Sequence, residues 1–283
     1  PRMGGHIDIG IDGPWDVHRI HGTVPVNEDG SASFTVPANT PLAIQPLDAE
    51  GKAIQIMRSW FTAMPGEVLS CVGCHERQNA TAASKPMTSA VKTPAQITPW
   101  MGGSVRGFSF KREVQPVLDK YCAGCHNSEK ETIGDNKRSA DGREIPNFEP
   151  DRTDAVALGK KPRQRFKNFD ASYVALHPYV RRPGPESDYH IQVPMEFPAA
   201  TSELIQMLKK GHHNVKLDAE AWDRLITWID MNAPDHGTWS EQRQIAGNFR
   251  QRRQEVFAKY ANRTDDLEVI PVTSSNHVAF VKP

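Results

Sequence analysis

The stretch FKREVQPVLDKYCAGCH, residues 110–126, joins two signals, and their combination decides the fold. Residues 110–122 put Val114, Val117, Leu118 and Tyr121 on one face, the spacing of an amphipathic helix. Pro116 either starts the main helix or kinks it. CAGCH (122–126) follows without a break, and the pattern occurs again as CVGCH at 71–75. The chain has four cysteines, and these two pentapeptides use them all.

Four cysteines allow two disulfides in three connectivities, a zinc site, or a dithiol redox motif. None of these needs a histidine directly after the second cysteine, twice. Covalent haem attachment does. Two thiols three positions apart reach the two vinyl groups of one porphyrin, and the next residue swings its imidazole under the iron. The pattern predicts one covalently bound haem c on Cys71 and Cys74, with His75 as its proximal ligand. It predicts a second on Cys122 and Cys125, with His126 as its ligand. Haem is normally attached this way outside the cytoplasm, so a bacterial, exported protein is expected, periplasmic or extracellular.

Lys+Arg and Asp+Glu both number 34, so the formal net charge is zero and nothing points to nucleic acid as a partner. No apolar run approaches the ~18 residues of a membrane span. The chain starts at Pro1 without a signal-peptide pattern, which suggests a processed protein or part of a longer one.

Residues 19–59 read as alternating strands and turns. Val24 and Val26, then Phe34 and Val36, show period-2 spacing, and NEDGS (27–31), PANT (37–40) and AEG (49–51) carry turn signals. The expected fold class is therefore α+β. A small antiparallel β-sandwich-like domain carries one haem, and an all-α domain like a class I cytochrome c carries the other. The expected boundaries are 1–80 for the β domain, 81–105 for a linker, 106–240 for the helical domain, and 241–283 for a basic helix and tail.

Two further helices are expected in the helical domain. TSELIQMLKKG (201–211) has Thr201 or Ser202 as N-cap and Gly211 as its stop. LDAEAWDRLITWIDMNAP (217–234) has Asp218 as cap, Leu217 and Trp222 as a staple, and Trp222, Leu225, Ile226 and Ile229 on one face. The stretch 127–200 reads as mostly polar loop. SEQRQIAGNFRQRRQEVFAKY (240–260) reads as one basic helix with Ile245, Phe249, Val256 and Tyr260 buried. Its Arg250, Arg252 and Arg253 are a solvated face or a docking surface. The tail VIPVTSSNHVAFVKP (269–283) reads as an edge strand.

The sixth ligands decide the function, because they set both potential and access to the iron. Candidates for the second haem are His190, Met195, Met207, His212 and His213. His212 is favoured, because KGHHNVKLD places it in a loop between two helices. His213 is then a neighbour, and Met207 a core residue. For the first haem, Met57, Met64, His6, His18 and His21 are candidates. Met57 is the tentative iron ligand, and the alternative is a five-coordinate, open iron.

The stretches GTVPVNEDGSASFTVPANTPLAIQPLDAEGKAIQIMRSW, PGEVLSCVGCHE, REVQPVLDKYCAGCHN and KGHHNVKLDAEAWDRLITWIDMNAP resemble the hydrazine synthase alpha subunit-related dihaem c-type cytochromes, over their middle and C-terminal parts. The resemblance implies a β domain with the first haem and a cytochrome c domain with a bis-His second haem, whose second ligand matches His212. It also implies an N-terminal β-propeller ahead of this segment. Hydrazine synthase itself has an iron-ligating Tyr four residues past its first motif His, and a zinc site using a further Cys. Here Asn79 stands at the former position, and no further Cys exists.

Two functions follow as expectations. One is a dihaem electron-transfer protein passing single electrons between redox partner proteins or other haem domains. The alternative is a haem oxidoreductase, hydrazine synthase-like or peroxidase-like, with an open first haem acting on small nitrogen or peroxide species. The first is preferred, because potential tuning needs only axial ligands and burial.

Overall fold

The computed structural model describes residues 8–73, 79–81, 93–128, 143, 145–150, 169–180 and 192–270. The deciding stretch forms α1 (Phe110–Glu113) and α2 (Gln115–Tyr121), with Val114 at φ −102, ψ −44 between them. Pro116 lies in the first turn of α2, where its missing N–H costs least. α3 (Ala171–Leu176), α4 (Glu203–Lys210), α5 (Ala219–Asp230), α6 (Trp239–Gln242) and α7 (Phe249–Ala261) follow.

α5 forms as its sequence predicts. Asp218 Oδ1 accepts the Ala221 amide at 2.8 Å, which caps the helix. Leu217 and Trp222 both pack against the core. Asn232 and Ala233, at φ 66 and 49, turn the chain out of the helix. α4 stops at Gly211, whose φ of 104 suits a residue without Cβ.

The core gathers α1, α2, α3, α4 and α5 around Trp228, which is fully buried. The Trp228 ring lies 5.3 Å from Phe110 and 6.1 Å from Tyr173, centroid to centroid, and its Nε1 donates to the Pro234 carbonyl at 2.9 Å. The Tyr173 hydroxyl donates to the Ala233 carbonyl at 2.9 Å and accepts the Ile11 amide at 2.8 Å. The N-terminal segment thus enters the helical core, and Ile11 is part of it.

Three expectations are corrected or refined. First, the β-sandwich is absent: among the described residues there is no strand, only isolated bridges. Leu42 pairs with Phe61 and Leu47 with Ala53, while Arg19, Thr23 and Phe34 pair with Gly107, Thr98 and Ala95. The turns are real: the Gly30 amide donates to Asn27 and the Gly51 amide to Asp48. A continuous ladder fails because Pro25, Pro37, Pro41 and Pro46 supply no N–H. The pairing partner of residues 19–34 is also not the next segment but the stretch around 95–107. Second, the stretch 127–200, read as mostly polar loop, also holds a short helix that reading did not mark, α3, with Tyr173, Val174 and Leu176 buried. Third, residues 240–260 form two helices, with Gly247 at φ 62 between them. Phe249, Val256 and Tyr260 are exposed rather than buried. Arg250 and Arg253 are engaged by Asp266 and Glu268. Most of the expected C-terminal edge strand, from residue 271 onward, lies outside the described residues.

Asp230 fastens the strandless N-terminal segment to α5. Its carboxylate accepts the Ala53 amide at 2.8 Å and the Ala199 amide at 2.6 Å, and its carbonyl accepts from Gln45 Nε2 at 2.6 Å. Burial raises its pKa to about 7, against the pull of those two amides. Raised above an unfolded value of ~3.9, this group favours the folded state below that pH and loses its contribution as pH climbs to its folded pKa. Denaturant melts of the native chain and of Asp230→Asn should therefore differ by an amount that falls between about pH 4 and pH 7. The slope should be at most about 1.4 kcal/mol per pH unit. A pH-independent difference would refute this account.

Candidate functional site

The second pentapeptide continues α2 as one more turn. The Cys122 and Ala123 amides donate to the Leu118 carbonyl at 2.8 Å each, and the His126 amide donates to the Cys122 carbonyl at 2.9 Å. Cys122, Cys125 and His126 are thereby set at i, i+3 and i+4, side by side on one surface. Cys125 is exposed and Cys122 part-buried. Burial, with Cys125 beside it, pushes the Cys122 thiol up to about 11.

His126 is held by its backbone and by its ring. Nδ1 stands 2.9 Å from the Pro146 carbonyl. A carbonyl only accepts, so Nδ1 carries the proton and Nε2 keeps its lone pair. Phe148 donates its amide to the His126 carbonyl at 2.9 Å and sets its ring 4.9 Å from the imidazole.

His212 follows α4 directly. Gly211, His213 and Asn214 all take positive φ, and the Val215 amide closes back on the His212 carbonyl at 2.9 Å. This turn brings His212 to His126: the two ring centroids are 6.0 Å apart and the planes differ by 24°. Two imidazoles bound to one metal from opposite sides, through bonds of about 2.0–2.1 Å, have centroids roughly 6 Å apart. The spacing fits an iron held between them. Burial lowers the pKa of both rings, the Pro146 carbonyl opposing it at His126 and His213 adding to it at both. Both are therefore neutral at pH 7, the form that binds metal.

A polar tie holds this end of the molecule. Asp218 Oδ2 accepts from Tyr121 Oη at 2.7 Å and Lys120 Nζ at 2.9 Å, while Oδ1 caps α5. The Ala221 amide, then Tyr121 and Lys120, hold the Asp218 carboxyl well below the usual carboxylate range. The start of α5 is thus bound to the end of α2, immediately before the pentapeptide.

The zinc alternative needs about four converging donors. Among the described residues no three His, Cys, Asp or Glu side chains converge on one point.

Of the first pentapeptide, Cys71 is described and exposed, while Cys74 and His75 lie outside the described residues. Trp60, Met64, Val68, Leu69 and Val72 around it are exposed, Val68 at 92%. So much apolar surface beside one attachment point suits a flat apolar group laid over it. The Met57 sulfur accepts the Ile44 amide at 3.5 Å. His6 and His190 lie outside the described residues. Met195 is exposed, and Met207 packs against the core as expected. Burial lowers the pKa of His18 and of His21, where Arg263 and Arg19 add to it. Sequence reasoning missed Pro146, which contacts His126 through its carbonyl; every residue has one, so no side-chain signal marks it. It also missed the tie from Asp218 to α2, although the cap itself was legible.

Residues 4–76 match the family model of the hydrazine synthase alpha subunit middle domain, a stretch that ends just past the first pentapeptide. Over residues 4–76 the chain is related to the hydrazine synthase alpha subunit middle domain. This relation supports a haem-related function. A solved structure titled Kuenenia stuttgartiensis Hydrazine Synthase is similar at 17% identity and a TM-score of 0.33. The similarity covers 70% of this chain and 30% of that one, so the chain spans less than a third of that relative's length. None of the curated proteins matches. Among the described residues no helix is long and apolar enough to cross a membrane.

Replacing Asp218 removes the cap and the tie to α2 together. Asp218→Ala should cost about 1–2 kcal/mol in urea melts, more than Lys120→Ala, which removes only one exposed, solvent-screened ion pair. Equal losses would show that the tie contributes nothing beyond that pair.

Proposed function

We propose that the chain is a dihaem c-type cytochrome that passes single electrons between redox partners outside the cytoplasm. One haem c is held by Cys71, Cys74 and His75, and the other by Cys122, Cys125 and His126, with His212 opposite His126. The observation that carries this reading is the pair of imidazoles, His126 and His212, with ring centroids 6.0 Å apart. When bound, haem supplies a one-electron iron couple whose potential follows its axial ligands and its burial.

The chain's residues account for the rest. The helical turn presents two thiols and one imidazole on the same surface. The Pro146 carbonyl keeps the Nδ1 proton of His126, which leaves Nε2 free to bind and raises its basicity. His212 would supply the second imidazole to the iron, which would leave no position there for a substrate. Such a site exchanges electrons through its edge with another protein or another haem domain. Export follows from the attachment chemistry.

One observation favours a second reading. Met57, the tentative sixth ligand at the first site, already accepts the Ile44 amide on its sulfur. A first haem with neither that ligand nor Met64, His6, His18 or His21 in its place would be open, and the protein is then a haem oxidoreductase acting on small nitrogen or peroxide species.

Carbon monoxide separates the two readings. Added to the dithionite-reduced full chain, it should leave the Soret band unchanged, and in His212→Ala it should shift about half of the band. A shift of half the band in the unaltered chain, extended to all of it in His212→Ala, supports the open first haem instead. A complete shift in the unaltered chain overturns the pairing of His126 with His212.

A further inference from the structure

We propose that Gln115 and Ser172 are positioning residues that set the reduction potential of the second haem, by pinning the 146–148 strap against His126. The proposal rests on the haem reading above.

Gln115 opens α2, Ser172 lies on α3, and both are buried, at 5% and 1% exposure. Ser172 Oγ donates to Gln115 Oε1 at 2.5 Å. Gln115 Nε2 donates to the Phe148 carbonyl at 2.9 Å and to Asp119 Oδ1 at 2.7 Å. Every polar capacity the amide offers for orientation is in use. The Phe148 carbonyl and the Asp119 carboxylate only accept, which turns the amide N–H groups toward them and leaves Oε1 to accept from Ser172.

Phe148 passes this restraint to the ligand, with its amide on the His126 carbonyl and its ring against the imidazole. The outer edge of the strap is also fastened: Glu149 Oε2 accepts Ser128 Oγ at 2.5 Å, and Asn147 Nδ2 donates to Ser128 Oγ at 2.9 Å. Pro146 stands immediately before these fastened residues, with its carbonyl on His126 Nδ1.

A firm Nδ1–H···O=C bond makes Nε2 more basic and favours the oxidised iron, which lowers the potential. A looser strap weakens that bond. The two residues thus act on the iron through Pro146 and His126 without touching it.

The test uses the full, haem-loaded chain. Mass spectrometry of the peptide spanning 122–126 first establishes that haem is attached there. Redox titration of Gln115→Leu should then show a positive shift in one of the two haems only, at about 59 mV per tenfold change in the one-electron equilibrium. Ser172→Ala should shift the same haem in the same direction by less. In the reduced proteins the His126 Nδ1–H resonance should exchange faster with solvent. If Gln115→Leu does not fold, Ser172→Ala decides alone. An unchanged potential and unchanged exchange in a folded, loaded variant overturn the positioning role while the haem reading stands. Absence of haem from the 122–126 peptide overturns the haem reading, and the positioning role with it.

Discussion

The packing of Trp228 between Phe110 and Tyr173 is the contact on which the second site depends. It joins α5 to α1 and α3, and all three rings are fully buried or nearly so. Once α5 is fixed against α1, the direction of α2 is fixed too, and with it the turn that carries Cys122, Cys125 and His126. The loop leading from α4 into α5 must then pass that turn, and His212 lies on it. The aromatic cluster sets the helices, and the separation of the two imidazoles follows from where it sets them. Buried aromatic rings contribute most of their energy through area, so this frame depends little on pH or salt.

The N-terminal segment needs another kind of support, because without strands its backbone groups have no ladder to satisfy them. Side chains and single backbone contacts take over. Asp230 accepts the Ala53 amide, Tyr173 accepts the Ile11 amide, and the Asp235 amide donates to the Ile9 carbonyl. Glu113, nearly fully buried, is shared by Arg106 and Arg224 and links the chain just before α1 to α5. Such buried ion sets add little net stability over an apolar filling, but losing one partner is costly. Close approach completes the join: a Cβ on Gly107 would stand 1.7 Å from the Gly237 carbonyl oxygen, so only glycine fits there. A segment held by scattered points in this way is specified by polar geometry more than by hydrophobic pattern.

That difference explains what was legible in the sequence. α4 and α5 were, because each has a cap, a period-3.6 apolar face and a stop within a dozen or so residues. His212 was, because its place between two readable helices limited where it lies. The turns at Asn27–Gly30 and Asp48–Gly51 were legible, but the pairing between them was not. A period-2 pattern of four or five residues says which side is apolar and nothing about which segment lies alongside. Here the partner for residues 19–34 came from the proline-rich stretch after the first pentapeptide, which carries no strand signal. α3 was overlooked because the polar residues around it dominate the composition of 127–200, although Tyr173, Val174 and Leu176 carry the pattern. The burial assigned to Phe249, Val256 and Tyr260 failed because periodicity states that a helix has an apolar face, not that anything covers it.

The two pentapeptides share one chemistry and sit in different mechanical settings. CAGCH continues a helix that is anchored at its far end by Phe110 and at its near end by Asp218, so its thiols and imidazole are placed before any group arrives. Preorganisation of that kind leaves little to rearrange when a group binds there, and on the proposed reading it would suit fast electron exchange. CVGCH follows exposed apolar residues on an irregular segment, with no helix entering it. Among the described residues nothing covers that apolar surface, so a group attached or docked there would itself make most of its own surroundings. Under the proposed dihaem reading, the rigid second site would hold its haem at a fixed potential, and the adaptable first site would take its potential from the partner docked there.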